Sequence, residues 1–236
     1  MLIKRSTGLV LYCKYDPGTG TFKDFSRNKH TITDHNVVPV RGKFGGAGYY
    51  NGTNAYLDCG VGDVVNNLAE LTVEAWVKWS GGTGVIITKG SQNEDPNRML
   101  DGWMLQVIDG KFRFLEACEG SYGVEHVDSS PITSDIWYHV VATFKGDSIG
   151  GLKIFVNGEL ENSRDTKNKK IGYVLPEDNP RLQIGNRVDT DYPDCFHGTI
   201  ELVRTYNRAL SASEILAHYK AKGYYGPLVY APVKIP

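Results

Sequence analysis

"GTIELVRTYNRALSASEILAHY", residues 198–219, changes its period halfway along. From Thr199 to Tyr206 apolar side chains alternate with polar ones around Ile200 and Leu202, the two-residue repeat of a half-buried strand. After Leu210 the repeat becomes helical. Ser211 and Glu214 have the spacing of a capping box, in which the serine hydroxyl accepts the N–H of residue 214 and the glutamate accepts that of Ser211. Leu210 and Ile215 stand at the staple positions on either side of that cap, and the helix is expected to run through Leu216 and Tyr219 and stop at Gly223. A strand running straight into one short, well-capped helix is therefore expected near the end of the chain.

Almost every segment before Ser211 reads as strand. In "LTVEAWVKW" (71–79), Leu71, Val73, Ala75, Val77 and Trp79 share one apolar face, and Thr72, Glu74, Trp76 and Lys78 share a mixed one. "WMLQVIDGKFRFLEA" (103–117) is two strands joined by Asp109-Gly110, the pair a type I′ hairpin favours because both positions need positive φ. Asn157-Gly158 in "LKIFVNGELEN" (152–162) predicts a second hairpin by the same chemistry. "IWYHVVATFKG" (136–146), aromatic and β-branched, is expected as a central strand. Shorter strands are expected in "GLVLYCK", "NAYLDC", "GVIITKG", "YGVEHV" and "RLQIGN". The pattern predicts an all-β domain of two antiparallel sheets packed face to face, with one short C-terminal helix, spanning residues 1–222. Residues 223–236, "GYYGPLVYAPVKIP", read as an extended, proline-stiffened arm.

The charge balance bears on partners. With 26 basic against 27 acidic residues and a net charge of −1 in 236 residues, the chain lacks the field of Lys and Arg that phosphate backbones require, so no nucleic acid is expected. No apolar run approaches the roughly twenty residues of a membrane span. The first residues lack the continuous apolar core and cleavage site of a secretory signal, so synthesis without a signal peptide is expected. Cys13, Cys59, Cys118 and Cys195 are far apart with no C-x-x-C pair. They read as buried small hydrophobes, with one or two disulfides as the alternative.

Six blocks, "GKFGGAGYYNGTNAYLDCG" (42–60), "LTVEAWVKW", "WYHVVATFKG", "LKIFVNGEL", "LQIGNR" and "GTIELVRTYNRALSASEI", succeed one another in the order and spacing of a known family. Over residues 8–220 the chain resembles the laminin-G-like, concanavalin A-type jelly-roll domains. That resemblance implies a curved two-sheet jelly-roll β-sandwich whose last strand leads into a short helix closing one end. It does not imply one function, since lectins, glycosidases, adhesion modules and virion proteins share the fold.

Each chemistry has its own residues. The E-x-D-x-x-E spacing of the family's glucanases is missing. Glu116 with Glu119, and Glu125 with Asp128, are three residues apart and face opposite sides of a regular strand, so catalysis is not expected. His126, His139 and His197 lack neighbours for a nucleophile relay or a zinc trio. The resemblance implies a structural Ca²⁺, with Glu201 standing where relatives carry Asp and Asn51-Gly52 matching the ligating turn; the alternative is that Glu201 pairs with Arg204 or a lysine of a neighbouring strand. Asp189, Asp191 and Asp194 in "NRVDTDYPDCF" offer oxygens for a ligand-facing ion at the rim, as in some pentraxin relatives, against a plain solvated loop. For a sugar, which needs an aromatic platform beside hydrogen-bonding groups, Trp103 is the best rim candidate against a core position, and Trp137 reads as core.

The leading expectation is a non-catalytic recognition or assembly module, such as a capsid decoration or tail-associated protein on a virion or other extracellular surface. Its neighbours, in a virion or a homo-oligomer, would meet Tyr224, Tyr225, Leu228, Val229 and Tyr230 of the arm. The alternative is a lectin for a cell-surface glycan, with or without calcium; a glycoside hydrolase is the remote third.

Overall fold

The computed structural model describes residues 7–92, 99–117, 124–167, 170–171, 181–187 and 194–221. In chain order come β1 (Leu9–Asp16), β2 (Thr21–Asp24), β3 (Thr33–His35), β4 (Val38–Arg41), β5 (Gly46–Asn51) and β6 (Tyr56–Asp58). The long strands come next: β7 (Glu70–Trp79), β8 (Gly84–Gln92), β9 (Met99–Ile108), β10 (Lys111–Ala117), β11 (Val124–Pro131), β12 (Trp137–Lys145), β13 (Ser148–Val156) and β14 (Glu159–Thr166). Last are β15 (Leu182–Ile184), β16 (His197–Tyr206) and the helix α1 (Ala212–Lys220).

The strands pair into two antiparallel sheets. The first has the order β14-β13-β12-β7-β16-β1-β2, with β5 also on β16 and β4 on β5; the second runs β11-β10-β9-β8-β15-β6-β3. Leu71, Val73, Ala75 and Val77 of β7 meet Trp103, Leu105, Val107, Phe112 and Phe114 of the second sheet in one continuous core. This is the jelly-roll sandwich the alternation predicts, and both hairpin turns form as expected. Asp109 and Gly110 take φ of 51° and 66°, Asn157 and Gly158 of 53° and 86°. Gly158 is constrained twice, because a Cβ there would also press on Leu216 and Tyr219 of α1, which packs over this turn.

β16 departs from the simple alternation. Its pairing with β7 shifts register between Ile200 and Leu202. A bulge of this kind adds a residue to one strand and reverses the facing of the residues beyond it. Ile200 therefore lies in the inter-sheet core, whereas Leu202 packs with Tyr12 and Trp76 on the opposite side. The two residues expected to share a face are separated. Both sides of β16 are buried, although alternation marked one as solvated.

The cap of α1 forms as predicted. The Ser211 hydroxyl accepts the Glu214 N–H at 3.3 Å, and Glu214 accepts the Ser211 N–H at 2.9 Å. Arg208 forks onto the same carboxylate at 2.7 and 3.0 Å. The helix ends with Ala221 as its C-cap; Gly223 lies outside the described residues. Cys13, Cys59 and Cys195 are buried free thiols, and Cys118 lies outside the described residues.

Candidate functional site

The outward face of the first sheet holds the densest collection of functional side chains. Register places Lys14, Leu202, Trp76 and His139 side by side across β1, β16, β7 and β12, with Tyr12, Arg204, Glu74 and Val141 in the adjacent row. An outward face is ordinarily wet, yet Glu74 is fully buried and Trp76 is only 2% exposed. What covers this face is α1 and two loops, each fastened by a buried carboxylate.

Glu74 fastens the helix. One oxygen accepts from His139 Nε2 at 2.9 Å and from Arg204 Nη1 at 3.0 Å, and the other accepts from His218 Nδ1 of α1 at 2.8 Å. Burial pushes the Glu74 carboxyl up, but the charge of Arg204 and the two histidine hydrogen bonds outweigh it and hold the group well below its usual range. Arg204 is raised in turn: burial lowers it, and Glu74 together with Tyr206 and Tyr12 outweighs that desolvation. Its guanidinium lies 4.6 Å from the centre of the Tyr12 ring, a cation–π contact in a dry place.

Glu201 fastens the first loop. Its carboxylate accepts the backbone N–H groups of Lys43 at 2.8 Å and Phe44 at 2.9 Å. Asp24 fastens the second loop, accepting from the N–H groups of Tyr12 (2.9 Å), Ser26 (2.7 Å) and His30 (2.9 Å) and from His30 Nδ1 at 2.7 Å. Against the cost of burial, those donors hold its carboxyl far below the usual range. Lys29 takes a left-handed φ of 53° within this loop, a conformation a lysine keeps only where its surroundings impose it.

These anchors set a surface of rings and ammonium groups. Phe25, Phe44, Trp137 and Tyr219 are half-buried against Tyr12, Trp76 and Leu202. Phe44 meets Trp76 edge-on at 4.8 Å, and Tyr219 stacks over it at 5.8 Å and 17°. Lys43 Nζ lies 5.0 Å from the Trp76 ring centre, Lys14 Nζ lies 4.8 Å from that of Phe25, and Lys29 Nζ lies 6.0 Å from it. The indole N–H of Trp76 is buried with no hydrogen-bond partner. Half-exposed aromatic area rimmed by charge is the usual make-up of a recognition surface. On the far side of α1 a groove of about 290 Å³ runs past Lys145, Lys153 and Phe155. The ring lining it, Phe155, is 3% exposed and cannot serve as a platform.

The residues expected from sequence fall elsewhere. Trp103 has no exposed surface and shares strand parity with Leu105 and Val107, so it fills the core and is no rim contact. Trp137, expected in the core, belongs to the outward cluster instead. Asn51 and Gly52 are not beside Glu201: Asn51 lies opposite His197, four residues away along β16 and on the order of 13 Å distant. The Asn51 side-chain oxygen accepts the N–H groups of Thr53, Asn54 and Ala55, and the Gly52 N–H donates to the Phe196 carbonyl. These residues do not fit a shared calcium, because the Asn51-Gly52 turn lies far from Glu201 along β16, and the Glu201 carboxylate and the Asn51 side-chain oxygen already accept backbone donors. Nor does Glu201 pair with Arg204, whose hydrogen bond goes to Glu74. Among the described residues no group of three or more His, Cys, Asp or Glu converges on a metal position.

Asp194 accepts from Arg187 at 3.2 Å; Asp189 and Asp191 lie outside the described residues, as do Tyr224, Tyr225, Leu228, Val229 and Tyr230. Across strands the second sheet pairs Glu116 with Glu125, a juxtaposition that spacing within one strand cannot reveal. Glu116 is wholly buried on the core side, beside Trp103, where no glycosidic bond can reach it.

Fold and sequence together identify the class. The profile of the concanavalin A-like lectin/glucanases superfamily matches residues 51–216, and the chain belongs to that superfamily. No curated protein matches the chain. Among solved structures it is similar to the binding domain of Paraclostridial Mosquitocidal Protein 1 (18% identity, TM-score 0.67, covering 91% of this chain and 52% of that one). It is also similar to the botulinum neurotoxin serotype G binding domain (15%, TM-score 0.68, 92% and 51%). A third is domain 4 of AbnA, a GH43 extracellular arabinanase from Geobacillus stearothermophilus, solved in complex with arabinotriose (18%, TM-score 0.62, 90% and 98%). The chain thus spans about half the length of the toxin binding domains it matches and almost all of the arabinanase domain.

Proposed function

We propose that the protein is a non-catalytic carbohydrate-binding module that takes its glycan on the outward face of the first sheet. The observation that carries this reading is the gathering of Phe25, Phe44, Trp137 and Tyr219 with three lysines on one surface, over anchors that hold each segment in place. A pyranose offers an apolar face and a rim of hydroxyls, and such a surface answers both. Support comes from the similar folds, one of them solved with arabinotriose and another, a botulinum neurotoxin DC binding domain, solved with SialylT. The assembly reading, in a virion or an oligomer, rests on arm residues outside the described part and has no observation of its own.

The test is a glycan-array screen of the purified chain, with and without a calcium chelator. Reproducible binding to a related set of sugars is expected, lost in Trp137→Ala and Phe44→Ala while the thermal midpoint stays close to that of the parent. A clean negative from folded protein, or binding that ignores both substitutions, would overturn the reading.

A further inference from the structure

The rings of the outward face do not meet solvent bare. Lys14 stands over Phe25 and Tyr12 at 4.8 and 5.5 Å, Lys29 over Phe25 at 6.0 Å, and Lys43 over Trp76 and Phe44 at 5.0 and 5.8 Å. Among the described residues none of the three ammonium groups enters an ion pair, whereas Lys23 on β2 pairs with Asp16 at 2.9 Å. Three carboxylates at this face, Asp24, Glu201 and Glu74, are turned inward, and Asp16, two residues from Lys14 on β1, is taken by Lys23. Asp24 and Glu201 accept backbone N–H groups of the very loops that carry the lysines, and Glu74 is enclosed by Arg204, His139 and His218. A chain with a net charge of −1 thus presents unneutralised positive charge over aromatic rings at one place. Lys14 and Trp76 stand in one row with Leu202 between them, so Lys14 and the Lys43 ammonium over Trp76 are separated by about two strand spacings, on the order of 10 Å. Anionic groups on neighbouring sugar residues can reach both.

We propose that this face selects acidic saccharides, glycans bearing carboxylate or sulfate groups, with Lys14, Lys29 and Lys43 receiving the anions and the half-exposed rings of Phe25 and Phe44 receiving the sugar faces. The inference rests on the carbohydrate-binding reading above and adds the class of ligand. An ammonium group that leaves a ring for an anion gains a full charge partner, and the ring it uncovers becomes available for stacking. Neutral sugars gain only the second.

Matched pairs of oligosaccharides, sialylated or sulfated against their neutral parents, are titrated into the full chain at about 50 mM and about 500 mM salt, a range over which surface electrostatics are screened. The acidic member of each pair is expected to bind and its neutral parent not, with affinity falling as salt rises. Lys14→Gln combined with Lys43→Gln, which keeps most of each side chain's length, is expected to weaken binding by about tenfold. Its thermal midpoint and near-ultraviolet spectrum establish that it is folded. Equal binding of the neutral parents, or no effect of the double substitution, overturns the choice of acidic ligands and leaves a neutral-glycan module standing. No binding of any glycan by folded protein overturns both readings. Binding to vesicles containing about one-third phosphatidylserine, without binding to the acidic glycans, assigns the lysines to lipid and also overturns the proposal.

Discussion

The two faces of β7 are both buried, and they are buried by different means. Leu71, Val73, Ala75 and Val77 face the second sheet and are enclosed by side-chain packing alone. Thr72, Glu74 and Trp76 face outward and are enclosed because α1 and the loop carrying Lys43 and Phe44 are fastened over them by directed hydrogen bonds. The first kind of burial tolerates any well-fitting apolar residue. The second depends on individual carboxylates and weakens when one is lost, because the donors it held stay buried and lose that acceptor. A face built in this way can hold rings and charges at a surface without letting them collapse into the core.

The largest expected effect comes from Glu74→Ala, which removes the carboxylate that Arg204, His139 and His218 share. Breaking a buried ionic cluster costs about 3–5 kcal/mol, read as a fall in the urea midpoint. Val73→Ala, the adjacent residue on the inner face, is expected to cost less, about 1–3 kcal/mol from lost methyl burial and the cavity left. A reversed order would break the distinction between the two faces.

Glu201→Ala and Asp24→Ala come next. Each leaves backbone N–H groups of one loop unsatisfied, at about 1–3 kcal/mol, and each is expected to weaken glycan binding more than its stability loss explains, since Lys43 and Phe44, or Phe25 and Lys29, lose their positions. Binding unchanged in both variants would separate the loops from the site.

Acid titration sharpens the same point. The Glu74 carboxyl is held well below its ordinary value of 4.5, so its contribution is fully present above that value and is lost as pH falls through the folded one. The parent should therefore destabilise progressively below about pH 4.5, and Glu74→Gln should show a shallower dependence over the same range by chemical denaturation. The smallest effect is expected from Ser211→Ala, about 1 kcal/mol from loss of the helix cap, measured by thermal unfolding.

What was legible in the sequence is what local chemistry decides. The Asp109-Gly110 and Asn157-Gly158 turns, the parity of β7 and the Ser211–Glu214 cap each involve residues within a few positions of one another, and all form as expected. The bulge at Ile200 and Leu202 was hidden, because it is set by pairing with β7 and not by the strand's own alternation. The candidate site was hidden for the same reason. Tyr12, Arg204 and Glu74 become neighbours only through strand register, and Glu201 reaches Lys43 and Phe44 across more than a hundred and fifty positions. The one local sign was a tryptophan and a glutamate on the polar parity of "LTVEAWVKW", where an ordinary wet face carries neither a large ring nor a lone acid amid strand-formers. Trp103 illustrates the converse: beside a polar loop it resembled a rim residue, and its parity with Leu105 and Val107 places it in the core.

The indole N–H signals of the protein offer the most direct test that the outward face of the first sheet is where ligand binds. Nitrogen-15 labelling of the tryptophans gives separate resonances for Trp76 and Trp137 on that face and for Trp103 in the core, assigned by single substitutions to Phe. On titration with a glycan identified by the array, the Trp76 and Trp137 signals should shift together and saturably while that of Trp103 stays in place. A shift confined to Trp103, or saturable binding that leaves Trp76 and Trp137 unmoved, would contradict the account.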